Sequence, residues 1–196
     1  MMPAVKKLII LSGPSGVGKG TVCKLLRARM PWLVHPVSLT TRAMREGEQD
    51  GREYFFVTRE AFIAKRDAGE LLESVEYNGA LYGTPRAQID AALAAGQTML
   101  LEIDAEGALA LKQLFADDAF LIFLAPPSLE VLLERLKTRG QNCETDIAGR
   151  LARAQWEMAQ QAKFDAVVTN DLLERSVPAV AALIEAAACQ TGQAKA

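Results

Sequence analysis

The chain has 196 residues, of which 50% are hydrophobic and 23% are charged, so it is long enough to fold as one globular domain around a sizeable core. With 14 glycines and 8 prolines, it is neither disordered nor collagen-like nor of low complexity. Its 22 Lys and Arg residues against 24 Asp and Glu residues give a net charge of −2, which argues against a general nucleic-acid-binding surface.

Targeting and metal signals are missing from the sequence. The first apolar run, residues 8–11, is too short for the core of a signal peptide, and no later segment is as long as a transmembrane helix. We therefore expect a cytoplasmic protein that does not bind a membrane. Three cysteines and a single histidine show no metal-ligand spacing, so neither a disulfide scaffold nor a zinc site is expected.

Strands and helices are predicted to alternate along most of the chain. This rhythm favours an α/β fold, in which a parallel sheet is covered by helices on both faces. The cap of the second helix is assigned to Thr84, with Pro85 as its first residue, and the cap of the third to Ser128. The predicted strands are 6–11, 98–103, 119–124 and 167–170, and the predicted helices are 21–30, 85–96, one that follows Ser128, and 176–188.

Two segments break this rhythm. Within residues 36–83, strand-like pieces at 53–57 and 71–77 are separated by turns, which predicts an inserted lobe with a mixed, mostly antiparallel sheet. Residues 139–163 are polar and rich in arginine, which predicts a second insertion. The predicted organisation is a single domain whose core comprises residues 1–35, 84–138 and 164–196.

A phosphate-binding loop is the clearest motif. Its context is the one that a P-loop requires, since a predicted strand precedes it and a predicted helix follows it. In such a loop, backbone N–H groups and a helix N-terminus surround a polyphosphate, and the lysine reaches the outer phosphates. The loop consists of Gly13, Pro14, Ser15, Gly16, Val17, Gly18 and Lys19, and Gly20 and Thr21 follow it.

Gly20 stands where many P-loops have the Ser or Thr whose hydroxyl contacts Mg²⁺. The sequence Gly-Lys-Gly-Thr resembles that of nucleoside monophosphate kinases. The metal would then be held mainly by phosphates and water, with Asp104, at the end of a predicted strand, as a candidate outer ligand. The sequence leaves the direct Mg²⁺ ligands open.

A second motif combines arginines with hydroxyl groups in a turn-rich stretch. Ser38, Arg42, Arg45 and Tyr54 offer the forked donors and hydroxyls that a phosphate monoester needs, although a solvated charged loop is the plainer interpretation. The pattern Ser-x-Thr-Thr-Arg-x-x-Arg, followed by Gly-x-x-Tyr-x-Phe and preceded by this P-loop, resembles guanylate kinase. Segments 71–73, 80–85 and 101–107 continue the resemblance along nearly the whole chain.

The resemblance implies a binding site for GMP in residues 36–83 and the residues next to them. Its implied phosphate ligands are Ser38, Arg42, Arg45, Tyr54 and Tyr82, while Glu73 and Thr84 would read the base, with Asp104 nearby. The chemistry suits guanine, because a carboxylate accepts hydrogen bonds from both N1–H and the 2-amino group. Adenine would leave a buried Glu73 unpaired, at a cost in free energy.

Further arginines flank residues 140–149 and resemble the mobile lid, here 139–163, that closes over ATP in the same family. Asn170 resembles the family's adenine-side position, whereas Gln141, Cys143 and Glu106 depart from its usual pattern. Cationic side chains at the transferring phosphoryl group stabilise its charge in the transition state. The implied catalytic residues are Lys19, Arg42, Arg135, Arg139 and Arg150, of which Arg135 and Arg139 also bind ATP.

The expected reaction is transfer of the γ-phosphoryl group of MgATP to GMP, and to dGMP as well, giving ADP and GDP. Two alternatives stay open: a small P-loop kinase for another nucleoside monophosphate or a ribose bisphosphate, and a non-catalytic guanylate-kinase-like protein-binding module. The expected partners are ATP and GMP, with no nucleic acid. Oligomeric state and regulation do not follow from the sequence.

Overall fold

The computed structural model describes residues 7–77, 79–138 and 144–188. The backbone divides into a first unit, formed by residues 1–33 and 100–196, and a second unit, residues 34–99. The predicted lobe, 36–83, falls within the second unit, and its functional limits stay a prediction.

The described part of the two units contains eight strands, seven α-helices and two short 3-10 helices, at Ala116–Asp118 and Gln161–Lys163. The strands are β1 (Leu8–Ser12), β2 (Leu39–Thr40), β3 (Phe55–Phe56), β4 (Leu71–Tyr77), β5 (Ala80–Pro85), β6 (Met99–Glu102), β7 (Ala119–Ala125) and β8 (Ala166–Thr169). The helices are α1 (Lys19–Arg29), α2 (Arg59–Asp67), α3 (Arg86–Ala94), α4 (Ala105–Phe115), α5 (Leu129–Thr138), α6 (Glu144–Ala159) and α7 (Leu173–Ala188).

The first unit is organised around a sheet of order β6-β1-β7-β8, in which β1–β7 and β7–β8 pair in parallel. Every residue of β1 is buried, as expected for a central strand covered on both faces. Helices α1 and α7 pack together, with Leu26 and Ile184 fully buried in the same core. This confirms the predicted α/β class. Parallel strands end at one edge of the sheet, so the segments that follow β1, β6 and β8 share that edge.

Helix α1 begins at Lys19, two residues earlier than predicted. Gly18 is its N-cap and has a φ of 105°, a left-handed conformation that lets the loop run straight into the helix. Helix α7 likewise begins at Leu173, before the predicted start at Ser176. Among the described residues, no helix combines the length and the apolar character needed to cross a bilayer.

The second unit contains a mixed sheet of order β3-β2-β5-β4, with β2–β5 and β4–β5 antiparallel and β2–β3 parallel. The predicted strand 71–77 is confirmed, whereas of the predicted strand 53–57 only Phe55–Phe56 forms a strand, with Tyr54 in an isolated bridge to Asp50. Helix α2 was not predicted. The Thr58 hydroxyl caps it by accepting from the Ala61 amide at 3.2 Å, and its one buried residue, Phe62, gives too little apolar periodicity to signal a helix.

The predicted cap at Thr84 is wrong. Thr84 lies within β5, directly opposite Glu73 of β4, and helix α3 begins only at Arg86. Its hydroxyl bonds across the strand pair to the Glu73 carboxylate rather than to the first turn of α3. Ser128, by contrast, accepts from the Val131 amide at 3.3 Å and caps α5 as predicted.

Replacing Phe62 by alanine is expected to destabilise the second unit. Phe62 is 0% exposed and fills a small core with Leu39, Leu71 and Leu81, so the cavity should cost about 3–5 kcal/mol of unfolding free energy. Urea unfolding followed by fluorescence would measure the loss. Phe55→Ala is the matched control, since Phe55 is 38% exposed, and equal losses in the two variants would contradict this core.

Candidate active site

The P-loop connects β1 to α1 by a backbone path with a positive φ at three glycines, Gly13, Gly16 and Gly18. Gly13 has a φ of 144°, and a Cβ atom there would lie 2.2 Å from the Leu124 carbonyl oxygen of β7. A Cβ atom on Gly18 would lie 2.7 Å from the side-chain nitrogen of Asn170. The loop is therefore pressed against the ends of neighbouring strands. This is the close backbone packing that a phosphate-binding loop needs.

The Lys19 side chain closes over this loop. Its Nζ atom donates to the carbonyl oxygens of Gly13 and Pro14. The ammonium group is thus held at the loop itself, where a lysine can neutralise phosphate oxygens.

A pocket of about 510 Å³ lies beside the loop, within the size range of small-molecule sites. It opens between the start of α1, helix α5 and the segment that follows β8. Lining residues include Gly18 and Thr21 from the first of these, Glu134 and Arg135 from the second, and Asp171 and Leu173 from the third.

Arg135 and Asn170 tie the wall of this pocket to the P-loop. The Arg135 guanidinium donates to the carbonyl oxygens of Val17 and Asn170, each at 3.2 Å. The Asn170 side chain is 4% exposed; its Nδ2 donates to Val17 at 2.8 Å and its Oδ1 accepts from the Ser176 hydroxyl at 2.6 Å. Asn170 thus supports the loop, and its predicted contact with ATP stays a prediction.

Helix α6 brings a second arginine to the loop. Arg150 Nη2 lies 3.4 Å from Ser15 Oγ, and its Nε atom is buried with no hydrogen-bond partner in the part of the chain that the structure describes. Arg135 and Arg150, which come from different helices, therefore both contact the P-loop. Three further residues named from the sequence, Arg139, Gln141 and Cys143, lie outside the described residues.

Two acidic residues lie at the end of β6 and just beyond it: Glu102 is the last residue of the strand, and Asp104 follows two positions later. A Cβ atom on Gly20 would lie 3.7 Å from both carboxylate oxygens of Glu102, so this carboxylate faces the position after the P-loop lysine. Asp104 is the N-cap of α4, because its Oδ1 accepts from the Gly107 amide at 2.8 Å, and its Oδ2 lies 3.3 Å from Arg153 Nη2. In the described residues, no group of three or more His, Cys, Asp and Glu side chains could hold a metal ion.

The second unit brings together three polar side chains, two on paired strands and one, Ser38, just before β2. Glu73 and Thr84 face each other on β4 and β5, and the Thr84 hydroxyl donates to Glu73 Oε1 at 2.6 Å. The Ser38 hydroxyl lies 3.5 Å from that of Thr84, which is 1% exposed. The short hydrogen bond from Thr84 fixes the orientation of the Glu73 carboxylate. A fixed carboxylate is what the predicted role of Glu73 in base recognition needs.

Arginine and aromatic side chains form a second group in the same unit. The Arg42 guanidinium lies 5.0 Å from the ring centre of Tyr54, whose ring is in edge contact with that of Tyr82 at 5.9 Å. Cation–π contact leaves the edge of the guanidinium available for bidentate bonds. Arg45, on the same turn, is exposed.

Glu48 is a partner of the predicted phosphate ligand Arg42 that the sequence analysis missed. Its carboxylate accepts two hydrogen bonds from the Arg42 guanidinium, at 2.6 and 2.7 Å, and a third from the Arg45 amide at 2.8 Å. The bond from Arg42 holds the pKa of the Glu48 carboxyl below its ordinary value, and Glu48 in turn raises the pKa of Arg42. The only signal in the sequence was that Glu48 follows the oppositely charged Arg45 by three residues.

This architecture defines the class of protein. A P-loop that follows the central strand of a parallel sheet, with a lysine over it and arginines from two helices against it, is the site of a P-loop phosphotransferase. The arginine and hydroxyl groups of the second unit suit a phosphate monoester, and the oriented carboxylate suits a ring that presents N–H donors.

Comparison with known proteins identifies the family. The family model described as guanylate kinase matches residues 5–187. The guanylate kinase of Synechocystis sp. is 48% identical over 178 residues, 91% of this chain and 93% of that protein, and that of Nocardia farcinica is 50% identical over 167 residues, 84% and 86%. The crystal structure of guanylate kinase from Anaplasma phagocytophilum has a TM-score of 0.78 at 31% identity, over 98% and 90% of the two chains.

The chain belongs to the guanylate kinase family, and it is an enzyme. Its activity is guanylate kinase activity, the ATP-dependent phosphorylation of GMP.

Glu48→Gln is expected to lower the melting temperature at pH 7 and to remove part of its dependence on pH. Because the pKa of Glu48 is lowered in the folded protein, its stabilising contribution is present above the ordinary glutamate pKa and is lost as the pH falls through the lowered value. The difference in melting temperature between wild type and variant should therefore shrink below about pH 4.3.

Differential scanning calorimetry at several pH values would measure this difference. Glu46→Gln, which removes an exposed carboxylate two residues away, is the matched control. A Glu48→Gln difference that did not change with pH would contradict the ion pair with Arg42.

Proposed function

We propose that the chain transfers the γ-phosphoryl group of MgATP directly to the phosphate of GMP, giving ADP and GDP, and that dGMP is also accepted. Base recognition carries the proposal: Glu73, oriented by the Thr84 hydroxyl at 2.6 Å, presents a carboxylate on the second unit. A covalent intermediate is unnecessary, since the acceptor phosphate is already an anion near neutral pH.

Guanine is the base that this carboxylate suits. It offers N1–H and the 2-amino group as adjacent donors, whereas adenine directs an acceptor, N1, at the same place. An adenine ring would leave the carboxylate without its hydrogen bonds, and an unmet charged acceptor costs about 1.5–3 kcal/mol. Thr84 supports this role because the hydrogen bond that its hydroxyl donates to Glu73 holds the carboxylate in one orientation.

The GMP phosphate is assigned to the arginine and tyrosine group. Arg42 would bind it through the guanidinium edge that Glu48 occupies, and Arg45 would add a second positive charge from the same turn. Ser38, Tyr54 and Tyr82 would add hydroxyl donors. In this scheme Glu48 acts as a positioning residue that holds Arg42 extended between binding events.

The donor phosphates are assigned to the P-loop amides and Lys19, with Arg135, Arg139 and Arg150 stabilising charge on the transferring group. The contacts of Arg135 with Val17 and of Arg150 with Ser15 support this assignment. The three arginines would thus act as electrostatic groups, and none of them has to take up a proton.

Mg²⁺ bound with ATP would supply positive charge that neutralises the donor phosphates. Mg²⁺ usually keeps several of its waters and contacts few protein groups directly. The carboxylates near the P-loop fit such an ion because they can bind those waters. Glu102, whose carboxylate faces Gly20, is well placed to hold such waters. Asp104 stays a candidate as well, although Arg153 and the Gly107 amide already engage its two oxygens.

Two functions that the sequence left open lack support in the site. A protein-binding module would need neither the Lys19 charge nor the arginines at the P-loop, and a kinase for another acceptor would not need Glu73. The contact of Lys19 with the loop favours a catalytic role over a protein-binding one. The contact of Thr84 with Glu73 favours guanine as the base of the acceptor. A cytoplasmic location stays a prediction from the sequence.

An acceptor panel tests the proposal directly. Production of ADP from MgATP would be followed with GMP, dGMP, AMP, CMP, UMP or ribose 1,5-bisphosphate supplied separately. We expect turnover with GMP and dGMP only. Turnover of AMP as efficient as that of GMP would overturn the assignment of Glu73 to base recognition, and no turnover with dGMP would overturn the proposed use of dGMP.

Glu73→Gln is expected to lower kcat/KM for GMP about 10- to 100-fold, as the loss of charged hydrogen bonds predicts, and to leave the KM for ATP within about twofold. The amide group of glutamine would direct a donor toward the donors of guanine. Steady-state kinetics with each substrate varied in turn would measure both effects. Glu76→Gln, on the same strand but 51% exposed at the side chain, is the matched control; equal kinetics in the two variants would remove Glu73 from base recognition.

A further inference from the structure

Helix α6 is attached to the first turn of α4 by a branched ion pair. Arg153 Nη2 lies 3.3 Å from Asp104 Oδ2 and 3.1 Å from Glu106 Oε2. Asp104 is the N-cap of α4 and Glu106 lies in its first turn, so one guanidinium joins two carboxylates at the start of that helix. A planar fork can hold two acceptors at once, which a lysine ammonium does less well.

Glu157 adds a second connection one turn further along α6. It is 4% exposed, its Oε1 lies 3.8 Å from Arg153 Nε, and the Ala105 amide at the N-terminus of α4 favours its charged form by lowering its pKa. A carboxylate at a helix N-terminus is stabilised by the unpaired amides there. Burial raises the pKa of Glu157, while the charges of Lys19 and Arg153 and the Ala105 amide oppose that rise. We call Arg153 and Glu157 the α6 clamp.

Trp156 limits the movement of this arginine. The Arg153 guanidinium lies 4.5 Å from the centre of the Trp156 ring, a cation–π distance. The ring packs on one side of the guanidinium while the two carboxylates engage its Nη2 edge. Arg153 is therefore restrained by more than one neighbour, although its side chain is 33% exposed.

The clamp lies next to a residue that reaches the P-loop. Arg150 precedes Arg153 by three positions, so the two side chains leave neighbouring points on one face of α6. Arg150 Nη2 contacts Ser15 Oγ at 3.4 Å. Arg150 Nε has no hydrogen-bond partner in the described residues. The orientation of this side chain therefore depends strongly on the position of helix α6.

We propose that Arg153 is a positioning residue for phosphoryl transfer: through the α6 clamp it sets the position of α6 on α4 and so holds Arg150 against the P-loop. This inference depends on the role proposed above for Arg150. Displacement of a transition-state group by about 1 Å can cost on the order of 100-fold in rate, so an ion pair remote from the phosphates can affect kcat.

A double-mutant cycle tests the coupling. Arg153→Ala, Arg150→Ala and the double variant would be assayed for kcat and for KM with each substrate, below their melting temperatures. We expect Arg153→Ala to lower kcat about tenfold with the KM for GMP unchanged, and to lower it less than about twofold when Arg150 is already alanine. A purely structural role would lower the melting temperature and would give the same factor in both backgrounds.

The matched control is Arg175→Ala. Arg175 also pairs with a carboxylate four residues away on its chain, Asp171, but its side chain is 73% exposed, and its removal should leave kcat unchanged. Glu157 is not used for the cycle, because its charge also acts on Lys19. Should Arg153→Ala not fold, Arg153→Gln replaces it, since glutamine keeps most of the length and removes the charge.

Each outcome separates the two proposals. If Arg150→Ala keeps the wild-type kcat, the role proposed for Arg150 fails, and the inference about Arg153 fails with it. If Arg150→Ala lowers kcat while Arg153→Ala has no effect or the same effect in both backgrounds, the role of Arg150 stands and the positioning role of Arg153 is overturned.

Discussion

The turn from β1 into α1 leaves no space for a side chain at Gly13 or Gly18, and the rest of the first unit is arranged around this constraint. The Leu124 carbonyl of β7 and the Asn170 side chain that follows β8 press against those glycines. Asn170 and Arg135 then bind the Val17 carbonyl, so the loop is supported from the strand ends and from α5. Supported in this way, the loop amides can meet phosphate oxygens without first having to be ordered.

Arginine side chains in both units are held by partners before any substrate binds. In the second unit Glu48 engages the fork of Arg42, and in the first unit Asp104 and Glu106 engage Arg153. A long cationic side chain loses rotamer freedom when it is ordered, at a cost of about 2 kcal/mol. The carboxylates order these side chains before substrate binds. In the proposed function, the Glu48 carboxylate occupies the edge of Arg42 that the GMP phosphate would take.

Local patterns in the chain predicted the elements whose signals are local. The strand 71–77 alternates clearly enough to be found with its observed bounds, and the strands and helices around the P-loop were found within a few residues. Helix α2 was missed because it buries only Phe62, and Thr84 was mistaken for a cap because Pro85 follows it. Glu48 and Glu157 were missed as well, since their partners are arginines and amides that only folding brings into contact with them.

The sequence by itself determined the α/β class, the P-loop and the family, because these depend on periodicity and on a continuous run of residues between one strand and one helix. It also named Glu73, Thr84 and the arginines as a set. Only the tertiary structure decided what each of them touches: that Thr84 orients Glu73, that Arg150 meets Ser15 while Arg153 turns to α4, and that Glu48 holds Arg42. Hydrogen bonds and ion pairs act over a few ångströms between residues far apart in the chain, and a linear pattern does not encode those distances.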